Sequence, residues 1–470
     1  MFVEQIYTGC LAQGAYYIHS KGEALIIDPL RETQPYIERA DRDGVKIKYI
    51  LETHFHADFV SGHLDLAKAT GAKIVFGPNA NPGYDIYSAK DGEILKLGDL
   101  SIKVLHTPGH TMESTCYLLM DENQKEIAIF TGDTLFIGDV GRPDLAQKAA
   151  SITQEDLAGL LYDSLRNKII TLPDSVTVYP AHGAGSACGK NMSKETVSTI
   201  GQQKEMNYAL KSDLTKQEFI KELTDGLLPP PGYFGLNVHL NKFGYDPIHE
   251  VMKRGVNALS VDAFEMLAND EDALVLDTRS ANDFASSHIP NSIFIGLDGQ
   301  FAPWVGALIT DIKQKIILVT DIGREEETVK RLARVGYDHV LGYLSGGFET
   351  WTNSGKDVDC VKRITAEQLE NEITWKEDTI VDVRKPGEFE AEHLENALTL
   401  PLDFINNNFS EYPKNKSLVL HCAGGYRSMI AASILKSRGC HDLVDVIGGY
   451  GALSKTGLPK TNFVCPSTKK

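Results

Sequence analysis

The sequence predicts an α/β protein in which a sandwich of sheets is followed by two copies of a doubly wound α/β domain. Short β-branched runs alternate with helical patterns over residues 1 to about 225. A segment rich in proline, glycine and aromatic residues then marks a boundary, and the remaining sequence repeats itself with an offset of 101 to 105 residues. The predicted domains are therefore 1–225, a packed linker at 226–256, and two copies at 257–360 and 361–470.

The strands and helices of this fold follow from local patterns. Strands are expected at 24–29, 49–51, 102–105, 127–130 and 176–179, where short apolar runs precede turns or polar clusters. In the repeat, Asp277-Thr278-Arg279 corresponds to Asp382-Val383-Arg384, and each copy alternates strands with helical patterns, which is typical of a parallel sheet. Helices are expected at 260–268, 325–336, 365–372 and 428–438.

Length and composition exclude several classes of partner. The chain has 470 residues and a formal net charge of −17, which argues against binding nucleic acid or an anionic membrane. No apolar stretch is long enough to span a bilayer, and the first residues do not resemble a secretory signal. Seven cysteines without regular spacing suit a reducing compartment, so a cytoplasmic location is expected.

The segment Thr53–Phe59 is the most informative part of the sequence. Potential metal ligands stand at alternate positions directly after an apolar run that predicts a buried strand. Three further predicted strands also run into polar clusters, so ligand-type residues from distant sequence are expected at one rim. These groups are His54, His56, Asp58, His110, Asp133 and His182. Histidine and aspartate are ligands of zinc and iron, and the pattern predicts a metal site.

Residues 1 to about 210 resemble the metallo-β-lactamase fold superfamily. The signals H-x-H-x-D, T-P-G-H-T, T-G-D and P-A-H-G occur in the family's order, and the resemblance implies an αββα sandwich. Binuclear hydrolases of the family would hold one metal at His54, His56, His110 and Asp133. They would hold a second at Asp58, the position of Phe59, Asp133 and His182.

A phenyl ring cannot coordinate a metal, so Phe59 removes a ligand from the second site. In this respect the chain resembles the mononuclear iron branch of the superfamily, the persulfide dioxygenases. The resemblance extends to the segments 138–144 and 182–190. That resemblance implies one Fe(II) on His54, His110 and Asp133, with His56, Asp58 and His182 orienting ligands and water. The alternative is a zinc-dependent thioester hydrolase of the glyoxalase II type. Arg142 and Lys190 are candidates for binding the carrier thiol, or are solvated surface residues.

A second candidate site lies in the loop His421–Ser428, between a predicted strand and a predicted helix. Successive backbone N–H groups and the helix N-terminus would point at Cys422, and Arg427 adds positive charge, an arrangement typical of a nucleophilic thiolate. The loop, which contains Gly424 and Gly425, resembles the active-site loop of rhodanese sulfurtransferases. The resemblance to this family covers residues 257 to 465. Phosphatases with a similar loop carry one more residue between cysteine and arginine, so sulfur transfer is favoured.

The first copy carries Asp321 where the second carries Cys422. A carboxylate cannot form a persulfide, so this copy is expected to be catalytically silent, with a role in spacing, packing or a subunit contact. The whole layout resembles a persulfide dioxygenase joined to one degenerate and one active rhodanese domain.

This resemblance implies a substrate and a set of products. A persulfide of glutathione, coenzyme A or a similar thiol would react with O₂ to give sulfite. Cys422 would transfer a sulfur atom to sulfite, which gives thiosulfate. The reverse reaction, cleavage of thiosulfate, would use the same residue. A non-catalytic sulfur carrier is a further alternative, and a homo-oligomer is expected because members of the fold often dimerise.

Overall fold

The structure is a computed structural model that describes residues 2–145, 152–227, 229–371 and 379–464. The chain divides into two compact units. The first consists of Met1–Glu250 and Leu332–Gly336, and the second of Val251–Arg331 and Tyr337–Lys470.

Two six-stranded sheets form the first unit. One has the order β1-β2-β3-β4-β5-β6, with β1 Phe2–Thr8, β2 Gln13–Ser20, β3 Glu23–Ile27, β4 Lys46–Leu51, β5 Lys73–Phe76 and β6 Tyr87–Ser88. The other has the order β12-β11-β10-β9-β8-β7, with β7 Ile94–Leu97, β8 Leu100–His106, β9 Thr115–Met120, β10 Glu126–Gly132, β11 Thr177–Pro180 and β12 Ser198–Thr199.

Helices cover the outer faces of both sheets. They are α1 Gln34–Asp43, α2 His63–Thr70, α3 Gln154–Ser164, α4 Ile200–Met206, α5 Lys216–Thr224 and α6 Phe234–Phe243, with a π-helical turn at Leu165–Ile169 and a 3₁₀ turn at Tyr208–Leu210. Alternation along β3 explains the layers: Leu25 and Ile27 face the core between the sheets, while Ala24 and Ile26 pack with Tyr36 of α1. The expected αββα sandwich is confirmed.

Helix α6 belongs to the segment expected to be a packed linker. Its Asn241 side chain is fully buried against the loop that follows β4. Asn241 Nδ2 donates to the carbonyl oxygens of His56 and Phe59, each at 2.8 Å, and Asn241 Oδ1 accepts from the Ser61 N–H at 2.8 Å. This side chain therefore fixes the backbone of the H-x-H-x-D segment.

Two five-stranded parallel sheets form the second unit, and their strand orders correspond. The first is β13-β17-β16-β14-β15, with β13 Ala258–Leu259, β14 Leu274–Asp277, β15 Ile293–Phe294, β16 Ile316–Val319 and β17 Val340–Leu344. The second is β18-β22-β21-β19-β20, with β18 Lys362–Ile364, β19 Thr379–Asp382, β20 Leu398–Thr399, β21 Leu418–His421 and β22 Leu443–Val446.

The helices of the second unit follow the same repeat. They are α7 Ile248–Gly255, α8 Val261–Asp270, α9 Ala281–Ser286, α10 Phe301–Leu308, α11 Glu325–Ala333, α12 Gly347–Asn353, α13 Ala366–Asn371, α14 Pro386–Ala391, α15 Tyr426–Ser437 and α16 Gly449–Leu453, with 3₁₀ turns at Leu402–Phe404 and Phe409–Glu411. Some of their residues, including part of α7 and the end of α11, are assigned to the first unit.

The repeat extends to individual side-chain contacts. Arg279 Nη2 donates to Asp277 Oδ2 at 2.6 Å, and Arg384 Nη2 donates to Asp382 Oδ2 at the same distance. Each guanidinium also stacks on a ring, at 4.0 Å for Arg279 and 3.9 Å for Arg384. The prediction of two copies of one parallel α/β domain is confirmed.

Candidate metal centre and cysteine loop

His54, His110 and Asp133 come together at the rim of the first unit's sandwich. His54 follows β4, His110 lies in the loop after β8, and Asp133 follows β10. Asp133 Oδ2 lies 3.4 Å from His110 Nε2 and 3.8 Å from His54 Nε2. The ligand atoms lie within 4.8 Å of one another, and all three side chains are buried. His110 Nε2 and Asp133 Oδ2 have no hydrogen-bond partner, and buried polar atoms of this kind fit a metal-binding site.

Hydrogen bonds fix which nitrogen each histidine presents. His110 Nδ1 lies 2.8 Å from the carbonyl oxygen of Arg142, which can only accept, so Nδ1 carries the proton. His54 Nδ1 lies 3.0 Å from Thr53 Oγ1, which itself donates to Asp28 Oδ2 at 2.8 Å. His54 Nδ1 is therefore also the donor. Both Nε2 atoms keep a lone pair on the side of Asp133, as metal ligation requires.

His54 is held in its neutral form by its surroundings. Burial lowers the pKa of His54 well below the ordinary value, and the neighbouring His56 adds to this shift, while Asp133 opposes it. A neutral imidazole is the form that binds a metal ion.

His182 connects the second oxygen of Asp133 to Asp58. His182 Nδ1 donates to Asp133 Oδ1 at 2.8 Å, and Nε2 forms an ion pair with Asp58 Oδ2 at 2.8 Å. Burial alone would lower the pKa of His182, but the two carboxylates outweigh it and hold that pKa well above its ordinary value. Burial raises the pKa of Asp133, yet the charge of His182 and its hydrogen bond outweigh burial and leave it far below the usual range.

Phe59 is completely buried beside these groups. Its ring centroid lies 4.3 Å from that of His56 and 6.5 Å from that of His182. Asp58, His182 and Cys188 also bring their ligand atoms within 4.8 Å of one another. His182 Nδ1 is engaged by Asp133 Oδ1, and Phe59 adds no donor atom to this group.

His56 belongs to a separate buried cluster with Asp28 and Glu52. His56 Nε2 lies 3.2 Å from Asp28 Oδ1 and 3.8 Å from Glu52 Oε2. Burial and the charge of Asp28 raise the pKa of Glu52 well above its ordinary value. Asp28 and Glu52 are not among the ligands predicted from the sequence, although each directly follows a strand, β3 or β4.

Arg142 and Lys190, predicted to bind substrate, already contact protein groups. Arg142 Nε and Nη2 donate to Asp144 Oδ1 and Oδ2 at 2.6 and 2.7 Å. Lys190 Nζ donates to the carbonyl oxygens of Glu222, at 3.0 Å, and Asp225, and burial lowers the pKa of Lys190. Binding of substrate by these two residues stays a prediction.

Cys422 is the first residue after β21 and is buried. The N–H of Gly425 donates to Cys422 Sγ at 3.1 Å. Gly425 has φ 105°, a left-handed conformation that favours glycine and lets the chain turn directly into α15. This turn explains why α15 begins at Tyr426, two residues before the predicted start. A side chain at Gly424 would meet open space, which leaves the mouth of the loop accessible.

Two residues outside this loop, Glu388 and Asp445, contact it and were not predicted from the sequence. Glu388, in α14, accepts from Arg427 Nη1 and Nη2 at 2.6 and 2.8 Å. Ser428 Oγ lies 3.6 Å from Cys422 Sγ and donates to Asp445 Oδ1 at 2.6 Å. Burial raises the pKa of Asp445 to about 6, although its hydrogen bond from Ser428 and its ion pair oppose the shift.

The corresponding loop of the first copy is occupied by its own carboxylates. Asp321 is exposed, and the N–H of Gly323, which aligns with Gly424, donates to Glu325 Oε2 at 2.9 Å. Arg324 donates to Asp298 and Glu327 at 2.7 and 3.0 Å. An anionic sulfur compound would meet acidic groups at this loop.

The fold and the rim site define a metalloprotein of the metallo-β-lactamase class that carries two rhodanese-like domains. Residues 8–182 match the metallo-beta-lactamase superfamily. Residues 260–354 and 365–456 each match the rhodanese-like domain. Within the described residues, no helix is long and apolar enough to cross a membrane.

Similar proteins indicate which members of this class the chain resembles. The human mitochondrial persulfide dioxygenase ETHE1 is 30% identical over 221 residues, which are 47% of this chain and 78% of that protein. A crystal structure of a metallo-beta-lactamase from Staphylococcus aureus is 32% identical with a TM-score of 0.64, covering 73% of this chain and 98% of that one. The chain thus belongs to the metallo-beta-lactamase superfamily as a homologue of the ETHE1 persulfide dioxygenases, with two rhodanese-like domains attached.

A hydrolase is also among the relatives. A hydroxyacylglutathione hydrolase from a Polaromonas species is 32% identical over 189 residues, which are 39% of this chain and 66% of that protein. This chain is therefore similar to enzymes with different reactions.

Proposed function

We propose that the first unit oxidises the persulfide of a low-molecular-weight thiol to sulfite and thiol with O₂ at a single iron. His54, His110 and Asp133 would hold this iron. The persulfides of glutathione, coenzyme A or a similar thiol are the proposed substrates. Cys422 in the second unit would transfer a sulfane sulfur to sulfite, which gives thiosulfate.

The buried ring of Phe59 is the observation that favours a single metal. A second metal at this rim would need His182 as a ligand. It would also need a donor atom at position 59, where the phenyl ring of Phe59 lies 6.5 Å from the His182 ring and offers none. Two histidines and one carboxylate remain, the ligand set of iron(II) oxygenases with open coordination positions.

The proposed oxidation balances as RSS⁻ + O₂ + H₂O → RSH + SO₃²⁻ + H⁺. Iron(II), when bound, supplies the positions and electrons through which sulfur and oxygen react. The residues of the chain orient the site: Arg142 and Thr53 fix the tautomers of His110 and His54, and His182 holds Asp133 so that Oδ2 faces both ligands.

The proposed sulfur transfer uses Cys422 as nucleophile. Its thiolate takes the outer sulfur of a persulfide, RSS⁻ + Cys–S⁻ → RS⁻ + Cys–S–S⁻, and sulfite then takes that sulfur to form S₂O₃²⁻. The Gly425 N–H stabilises the anionic sulfur. Arg427 pairs with Glu388, so an incoming sulfite or thiosulfate competes with that carboxylate. The reverse direction uses the same residues.

Two other functions differ from this one in oxygen consumption. The similarity to hydroxyacylglutathione hydrolases supports, as an alternative, a zinc-dependent hydrolase of thioesters, which consumes no O₂. A non-catalytic sulfur carrier that works through Cys422 also consumes none. An oxygen electrode with a purified persulfide, combined with elemental analysis, separates all three.

Paired variants test the proposal. His110→Ala removes a ligand, so iron content and oxygen uptake should be lost, while thiocyanate formation from thiosulfate and cyanide remains. Cys422→Ser removes the nucleophile, so sulfur transfer should be lost while oxygen uptake remains and the product changes from thiosulfate to sulfite. The activity that each variant retains shows that the unit without the substitution is still folded.

Two outcomes would overturn the assignment. Oxygen uptake at the wild-type rate in His110→Ala would show that the ligand set is wrong. A wild-type protein that contains two zinc ions, cleaves thioesters and leaves oxygen untouched would be a hydrolase instead.

A further inference from the structure

Helix α15, which directly follows the Cys422 loop, is buried on all its faces. Every residue from Ser428 to Leu435 is buried, and a helix that is buried all round needs neighbours on more than one side. One side packs on the helix's own sheet. The other packs on β15 of the first rhodanese-like copy, where the Phe294 N–H donates to Ser433 Oγ at 3.0 Å.

Tyr426 makes the contact between the loop and the first copy. Tyr426 Oη donates to the carbonyl oxygen of Gly296 at 2.7 Å, and its ring packs edge-on against Phe294 with centroids 5.9 Å apart. A Cβ atom at Gly299 would lie 2.5 Å from Tyr426 Oη and 2.6 Å from Cε2. The absence of a side chain at Gly299 therefore makes room for the ring.

A chain of polar contacts also joins the first copy to the sulfur atom. Arg363 Nη1 donates to Asn282 Oδ1 at 2.5 Å, and Arg363 Nε donates to Asp445 Oδ2 at 3.0 Å. Asp445 accepts from Ser428 Oγ, which lies 3.6 Å from Cys422 Sγ. Asn282 comes from the first copy and the other four residues from the second.

We infer that the first, cysteine-lacking copy positions the Cys422 loop of the second copy, with Tyr426 as the positioning residue that seats against Gly296 and Gly299. This inference rests on the proposed sulfur transfer by Cys422. It gives the silent copy a role in catalysis that needs no chemistry of its own.

The geometry explains how a contact in one copy acts on the sulfur of the other. Tyr426 directly follows Gly425, whose N–H donates to Cys422 Sγ. Any displacement of the Tyr426 ring moves this N–H relative to the sulfur atom. A misplacement of about 1 Å can lower a rate by about 100-fold. Even a small side chain at Gly299 should therefore lower the rate of sulfur transfer.

A double-mutant cycle in the full-length protein tests the inference. Gly299→Ala should displace Tyr426 and lower kcat/KM for transfer of sulfur from thiosulfate to cyanide by about tenfold or more. Tyr426→Leu removes the ring and should lower it as well. Because the alanine acts only through the ring, the double variant should be no worse than Tyr426→Leu alone.

A second readout keeps the test independent of turnover. Alkylation of Cys422 by iodoacetamide at one fixed pH, followed by mass spectrometry of its peptide, should be slower in Gly299→Ala because the anionic sulfur loses a donated N–H. Gly235→Ala, on α6 with no atom within 4 Å of the added carbon, is the matched control. Oxygen uptake should stay at the wild-type rate in all variants.

The outcomes separate this inference from the proposed function. Wild-type kcat/KM and a wild-type alkylation rate in Gly299→Ala would overturn the inference, as would losses that multiply in the double variant. A wild-type protein without sulfur transfer would overturn the proposed function, and the alkylation rates would still decide whether the first copy positions the loop.

Discussion

Thr53 determines the direction in which His54 presents its nitrogen atoms. The Thr53 N–H and hydroxyl both donate to Asp28, at 2.8 Å each, so the hydroxyl oxygen is left to accept from His54 Nδ1. Asp28 has φ 50°, a conformation that aspartate tolerates better than most residues and that turns its carboxylate back to the strand end. Thr53, which is not a predicted metal ligand, thus fixes the protonation of His54, which is one.

Thr53→Val should weaken metal binding without removing a ligand. Valine has the shape of threonine but cannot accept from His54, so the tautomer and the ring orientation are no longer fixed. Loss of such an outer hydrogen bond typically costs about 10- to 100-fold in metal affinity. Competition with a chelator of known affinity, followed by elemental analysis of the protein, measures the change.

The matched control is Thr328→Val in the second unit. Thr328 is also a buried threonine, and its hydroxyl donates to the carbonyl oxygen of Arg324 at 2.8 Å. The metal affinity of the Thr328→Val protein should equal that of the wild type. If Thr53→Val also kept the wild-type affinity, the tautomer argument for His54 would be wrong.

At the residue scale, the sequence predicts the ligand types but not their hydrogen bonds. His54, His110 and Asp133 could be singled out because each follows a predictable strand. The role of Arg142 could not be predicted, because its carbonyl orients His110 while its guanidinium pairs with Asp144. Such a role depends on the path of the backbone, for which the side-chain identity carries no signal.

The same limit applies to the surroundings of Phe59. Phe59 can be recognised in the sequence as a side chain without a donor atom. The position of His182 between Asp58 and Asp133 depends on distances between residues from three separate parts of the chain. It became visible only in the folded structure.

At the scale of elements, α15 shows where periodicity is informative and where it fails. The sequence predicts a helix at 428–438, and the helix runs from Tyr426 to Ser437. Its sequence lacks a polar face because β15 of the other copy covers the side that solvent would otherwise occupy. Periodicity therefore predicts the helix but not its second partner.

Ser433→Ala should destabilise the contact between β15 and α15. The Phe294 N–H donates to Ser433 Oγ in a buried position, and alanine would leave this N–H without its acceptor. The expected loss is about 1–3 kcal/mol in the free energy of unfolding. All three tryptophans of the sequence lie after residue 257, so urea unfolding followed by tryptophan fluorescence reports on the second unit.

Ser437→Ala on the same helix is the matched control. Both serine hydroxyls donate to the carbonyl oxygen three residues earlier, at 2.8 Å for Ser433 and 2.9 Å for Ser437. If the contact with Phe294 is what matters, Ser437→Ala should change the stability much less. Equal losses in the two variants would assign the effect to the helix itself.

At the scale of the whole molecule, the domain organisation could be predicted because each domain type has its own signature. The rim motifs identify the first unit, and the repeated Asp-x-Arg pairs identify the two copies in the second. The two copies form a single compact unit, which the repeat alone does not predict. Their contact depends on Gly296 and Gly299, and these glycines have no distinctive context in the sequence.

Each candidate site is complete within its own unit. The ligands and the residues that orient them all belong to the first unit, and the contacts described for Cys422 all belong to the second. The two proposed activities should therefore be separable, with sulfite passing between the sites through solution. An equimolar mixture of the His110→Ala and Cys422→Ser proteins should then form thiosulfate from persulfide and O₂, although neither variant does so alone.

The concentration dependence of this mixing experiment decides between free sulfite and direct transfer. Released sulfite must build up before the partner variant can use it, so thiosulfate should appear after a lag that shortens as the concentration of the His110→Ala protein rises. Ion chromatography of sulfite and thiosulfate over time measures this lag. If sulfite accumulated in the mixture while the wild type formed only thiosulfate, transfer would have to occur within one chain. Freely diffusing sulfite would reach Cys422 in the mixture as readily as in the wild type.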